Sequence, residues 1–164
     1  MPQATSGRLE VFVGATGENY ERVRPILELL GTVRHTGGPG SGAAMKLVAN
    51  LVLGAAIVTL GEALALGDSL DLERGLVLDA LADSPIGPIV RAKRANVESG
   101  DFTPSFKLRH AAKDLRLVTE AATARRRELK QANANRAWLD EAAGRGAADL
   151  DFSAVVATIR RQTP

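Results

Sequence analysis

The sequence predicts a mainly α-helical fold, with several helices around one long buried helix and a small strand–helix–strand piece at the N-terminus. Three observations predict it. The composition is rich in alanine and leucine with only 4% aromatic residues, which favours helices. Residues 37–66 form a glycine-rich loop followed by a long apolar run, uncharged from residue 47 to 61, so the helix it forms has no obvious solvent face and is expected to be buried. Finally, residues 105–127 carry Leu108, Ala111, Ala112, Leu115 and Val118 at helical spacing.

The 164 residues suit one domain, or one plus a fragment. The reading is residues 1–36 for the strand–helix–strand piece and 37–164 for the helical domain. A net charge of +2 and a pI near 9.3 are too mild to argue for nucleic acid, which needs a concentrated basic patch. No cysteine is present, so disulfides and thiolate metal sites are excluded. His35 and His110 make no convincing metal site by themselves. The N-terminal residues lack a basic-then-apolar signal pattern. The uncharged run is shorter than the ~20 residues of a membrane span and carries Asn50. A core helix, no membrane and a cytoplasmic setting are therefore the expectations.

In chain order, residues 8–13 (R-L-E-V-F-V) alternate and stop at Gly14, as a short strand does. Glu18 or Asn19 caps a helix to about Leu30, with Pro25 tolerable only near a first turn. Gly31 ends it, and residues 32–35 form a second short strand. Such a piece is too small to bury its own faces. After the long helix come helices at about residues 71–82, 89–97, 105–127, 136–143 and 152–160. Ser84-Pro85-Ile86-Gly87-Pro88 and Gly100 act as breakers. Arg91, Lys93 and Arg94 read as solvated, and Arg125-Arg126-Arg127 as a solvated helix end suited to the dipole.

Lys46 is the residue that needs explaining. It sits four positions before Asn50, so the two project from one helix face, one turn apart. On a buried helix its charge requires a partner, a water-filled cleft or a lowered pKa; the alternative is a side chain that snorkels to solvent. The preceding glycines, Gly42 among them, let the backbone turn tightly and pass close to a ligand. Phe106 reads from sequence as a core residue before a pocket wall, and Lys113-Asp114 equally as a surface ion pair or part of a site.

The segment G-G-P-G-S-G-A-A-M-K-L-V-A-N resembles the catalytic-lysine signature of the β-hydroxyacid dehydrogenases, within the 6-phosphogluconate dehydrogenase superfamily. Lys46 and Asn50 fall on its lysine and asparagine, and Ala49 stands where many members have a second asparagine. Asp101, Phe102, Pro104, Phe106, Lys113, Asp114 and Leu115 resemble a second signature of that family in order. Ala4, Gly7, Leu9, Val13 and Gly14 resemble the end of its nucleotide-binding domain, with Ala15 replacing a glycine. D-L-D-F-S-A-V-V is similar to its last helix, and Ser69, two residues before Asp71, replaces a glycine usual at that earlier position.

The resemblance implies a C-terminal, substrate-and-dimerisation domain of an NAD- or NADP-dependent oxidoreductase, with a Rossmann-type remnant before it. It implies Lys46 as the proton-transfer group for a small hydroxyacid or semialdehyde. Asn50, Phe106, Asp114 and Gly42 would contact substrate, and Lys113 the cofactor. The phosphate-binding turn G-x-G-x-x-G is not found in its proper context. Weak or no cofactor binding by this chain alone, a homodimer, and a separate nucleotide-binding half are thus expected. A non-catalytic helical interaction module is the alternative; Lys46 counts against an imine reductase.

Overall fold

The computed structural model describes residues 6–161. Ala4, the first residue of the nucleotide-domain match, lies outside them. Two units are distinguished, the first running to Ala49 and the second starting at Asn50. The boundary falls inside a helix rather than at residues 36/37, because the first turns of that helix pack on the first strand.

In the first unit, β1 (Leu9–Gly14) runs parallel to β2 (Gly31–Gly37), joined by α1 (Gly17–Leu27). Parallel pairing requires a crossover, which α1 supplies. Thr16, not Glu18 or Asn19, caps α1, its hydroxyl accepting from the amide of Asn19. Pro25 lies in the last turn instead of the first; there the proline costs one backbone hydrogen bond, close to where the helix ends anyway. Tyr20 stacks on His35 at 4.4 Å, and His35 Nε2 donates to the Ala15 carbonyl at 2.9 Å.

The chain then enters α2 (Ser41–Ser69), 29 residues long. Gly42 explains the close seat of its first turn. A Cβ there would lie 2.6 Å from the Phe12 carbonyl oxygen and 2.9 Å from the Gly14 amide nitrogen. Thr36 donates to the Val13 carbonyl at 3.1 Å and its hydroxyl lies 2.8 Å from that of Ser41, tying β2 to the start of α2.

In the second unit, α2 is followed by α3 (Arg74–Ala82), α4 (Gly87–Ser99), α5 (Leu108–Ala124), α6 (Lys130–Ala142), a wide turn (Ala143–Ala147) and α7 (Ala154–Arg160). Glu73 caps α3 by accepting from Gly75 and Leu76, which delays its start to Arg74. Gly100 stops α4 in the left-handed conformation, φ 73°, that its lack of a Cβ permits. Gly54, Gly61 and Gly67 let Leu115, Ile159 and Val77 approach the axis of α2. Trp138 Nε1 donates to Glu62 at 2.9 Å, and Arg160 pairs with Asp68 at 2.7 Å.

Two expectations are corrected. First, α2 is not buried all round: Ile57, Val58, Leu60 and Leu64 are core, but Val48, Val52 and Leu66 are 57%, 63% and 60% exposed. A helix packed along one side presents its other side outward whatever its composition. Its full length and hydropathy would also suffice to cross a membrane, so shortness of the apolar run does not decide that question; the contacts of its glycines and buried stripe make it the core helix of the second unit. Second, Lys93 is buried rather than solvated, only 8% exposed, because it shares a stripe of α4 with Ile89, Val90 and Val97.

Gly42→Ala is expected to destabilise the first unit by about 1–3 kcal/mol through overpacking. Faster hydrogen exchange of the β1 amides would register it; unchanged protection would refute the packing account.

Candidate active site

Asn50, Phe106 and Asp114 line one niche in the second unit, together with Leu53, Leu115 and Phe152. Three elements bring them there. Asn50 projects from α2. Burial of Leu108, Ala111, Ala112, Leu115 and Val118 fixes the rotation of α5, leaving Asp114 half-buried and Lys113 exposed. Lys113 Nζ pairs with Asp114 Oδ1 at 2.9 Å. Phe106 comes from a loop, not from the helix expected to begin at Ser105.

That loop is shaped by Asp151, which is fully buried. Its Oδ2 accepts from the amides of Ser105 at 3.0 Å and Phe106 at 3.3 Å, and from the Ser105 hydroxyl at 2.9 Å. Its Oδ1 accepts from the Ser153 amide at 3.1 Å and hydroxyl at 2.7 Å. Lys93 Nζ lies 2.8 Å from the same oxygen and donates to Ser105 Oγ at 3.0 Å. The helix α5 starts at Leu108, three residues after the expected Ser105. The Phe106 ring packs edge-on against Phe152 at 5.6 Å and faces His110 at 6.2 Å. Lys93 also sits 4.8 Å from the Phe152 ring centre, a cation–π contact.

Burial opposes ionisation of Asp151, but the bonds from Lys93, Ser153 and Ser105 outweigh it and hold the carboxyl well below the usual carboxylate range. Sequence reading missed both partners of this pair. The signal was present: Lys93 interrupts the apolar series Ile89, Val90 and Val97.

Lys46 lies in the first unit, exposed, one turn before Asn50 on α2. Gly42 has a packing role there. Two larger hollows, of about 310 and 320 Å³ against about 10 Å³ for the niche, flank Arg126 and Arg127 in one case and Arg74 and Arg160 in the other. Neither contains a residue singled out for chemistry.

The family profile described as NAD-binding of NADP-dependent 3-hydroxyisobutyrate dehydrogenase matches residues 40–159. The chain belongs to this family. The profile assigns NAD binding to the helical residues that the sequence reading had taken for a substrate and dimerisation domain, and makes a nicotinamide dinucleotide the family's cofactor. An uncharacterized oxidoreductase of Synechocystis is 34% identical over 121 residues, 73% of this chain and 42% of that protein. Glyoxylate/succinic semialdehyde reductase 1 of Arabidopsis thaliana is 28% identical over 159 residues, covering 96% of this chain and 55% of the reductase. The 3-hydroxyisobutyrate dehydrogenase of Mycobacterium tuberculosis, solved with L-serine, is similar with a TM-score of 0.86 at 27% identity, covering 97% of this chain and 57% of that one. The chain spans about half the length of the curated relatives it matches.

Asp151→Asn is expected to cost about 3–5 kcal/mol at pH 7 by leaving Lys93 buried without its anion. The folded-state pKa of Asp151 is depressed, so its contribution is fully present above the unfolded value of about 4 and is lost as pH falls below it. Urea unfolding of both proteins at a series of pH values checks this. A difference that does not shrink below about pH 4 would show that the carboxylate charge is not its source.

Proposed function

We propose that this chain is the part of an NAD(P)-dependent oxidoreductase for a small β-hydroxyacid, or the corresponding semialdehyde, that supplies the proton-transfer lysine, the substrate niche and dimer contacts. The observation that carries this reading is the meeting of Asn50 with Phe106 and Asp114 in one niche. They come from two separate sequence motifs, and core packing alone gives no reason for an amide and a carboxylate to converge on one aromatic wall.

The niche's fit to a dinucleotide is partial. Its enclosed space of about 10 Å³ is far below the ~300–1,000 Å³ of ligand pockets, so it can supply only one wall of a substrate or cofactor site. When bound, the cofactor supplies or accepts the hydride. The chain's own residues handle the oxygen. Lys46 gives a proton to the substrate oxygen in reduction and takes it in oxidation. Asn50, one turn along α2, hydrogen-bonds the substrate; Phe106 walls off water and Asp114 accepts from a hydroxyl. Lys113, paired to Asp114, adds a cation suited to an anionic cofactor. In this reading residues 1–36 are the end of a nucleotide-binding domain.

The exposed apolar side of α2, Val48, Val52 and Leu66, favours pairing with a second copy through that helix. The same surface supports a second reading, a non-catalytic interaction module that keeps the scaffold alone.

Supplying a nucleotide-binding half and measuring turnover separates the two. Lys46→Ala is expected to lower turnover by roughly 10²–10⁴, the range for general acid–base groups; unchanged turnover removes Lys46 from the mechanism. Light scattering of the chain itself is expected to give a dimer, and NADH fluorescence no saturation at micromolar concentration. A monomer, or micromolar affinity, overturns the respective statement.

A further inference from the structure

The buried Lys93–Asp151 pair is far more elaborate than its surroundings require. A single apolar residue pair would fill the same space between α4 and the start of α7 without removing two charges from water. What the pair does that apolar residues cannot is bind backbone. One carboxylate oxygen takes the consecutive amides of Ser105 and Phe106 together with the Ser105 hydroxyl. The other takes Lys93 and both donors of Ser153. The two segments are then stitched along their length. The Asp151 amide donates to the Phe102 carbonyl at 2.8 Å, the Phe152 amide to the Phe106 carbonyl at 2.8 Å, and the Leu108 amide to the Leu150 carbonyl at 2.9 Å. Lys107 and Arg109 both reach Asp149, at 2.8 and 2.7 Å.

Both aromatic residues of the niche are carried by these two segments. Phe106 and Phe152 are adjacent in chain to the groups that Asp151 holds, and each lines the niche opposite Asn50 and Asp114 on their own helices. We infer that Asp151, clamped by Lys93, is a positioning residue that sets the aromatic wall of the niche and thereby which small apolar substituents a ligand can carry. The nature of that ligand rests on the function proposed above; the positioning does not. Neither Lys93 nor Asp151 lines the niche, so each acts only through the backbone of residues 105 and 106 and through Phe152.

The chain contains four phenylalanines, Phe12, Phe102, Phe106 and Phe152, so 4-fluorophenylalanine labelling gives four ¹⁹F signals, with that of Phe106 assigned by Phe106→Leu. Asp151→Asn and the milder Ser105→Ala, which removes one hydroxyl of the cluster, are compared in folded protein with Leu139→Val, a change at a fully buried α6 residue outside the niche. The Phe106 signal is expected to move or broaden in both cluster variants and to stay in place in the control. The dissociation constant for 3-hydroxyisobutyrate, read from the same spectra, is expected to rise by roughly tenfold or more in Asp151→Asn, as small misplacements of binding groups cost. An unmoved Phe106 signal in folded Ser105→Ala, or an equal displacement in Leu139→Val, overturns the inference. If the unaltered chain shows no response to 3-hydroxyisobutyrate, the proposed substrate class falls, while the Phe106 signal still decides the positioning.

Discussion

One buried carboxylate organises the second unit. Asp151 sits where three stretches meet: the interior face of α4, the loop before α5, and the entry to α7. An ionised group in that place would be prohibitively costly alone. Here it is matched by a lysine and by five hydrogen-bond donors from Ser105, Phe106 and Ser153, so the cost of burial becomes a constraint on backbone geometry. Because hydrogen bonds are directional, the cluster specifies where Phe106 stands in a way that apolar packing would leave loose.

The second constraint is α2. It is a single helix that provides the first turn seated on β1 and the core of the helical unit, and its residues alternate between these duties by position rather than by composition. Gly42 serves the strand, while Gly54, Gly61 and Gly67 admit side chains of α5, α7 and α3. Lys46 and Asn50 fall between the two sets.

The family also illustrates how a name and a fold division differ. The matching profile describes residues 40–159 as NAD-binding, whereas the niche lined by Asn50, Phe106 and Asp114 is too small to hold a dinucleotide. Among the described residues the strand–helix–strand piece forms a two-stranded parallel sheet.

Much of this was legible in the sequence, because the relevant signals are local. Helical spacing marked α5, glycine and proline marked the breaks around α4, and the residue order of two motifs marked Lys46, Asn50, Phe106, Lys113 and Asp114. Periodicity also contained a hint of Lys93, but charge is ordinarily a surface signal, and nothing local says that its counter-ion lies at Asp151, far along the chain. The same limit hid the exposed side of α2: an apolar run shows that a helix can be buried, whereas how much of it is covered depends on how many neighbours the fold supplies. Sequence by itself determined the helices, their order, the family and the residues with chemical potential. Tertiary structure alone decided which of them meet, that a buried ion pair holds the loop carrying Phe106, and which face of α2 stays open, since these depend on contacts between segments that no local pattern records.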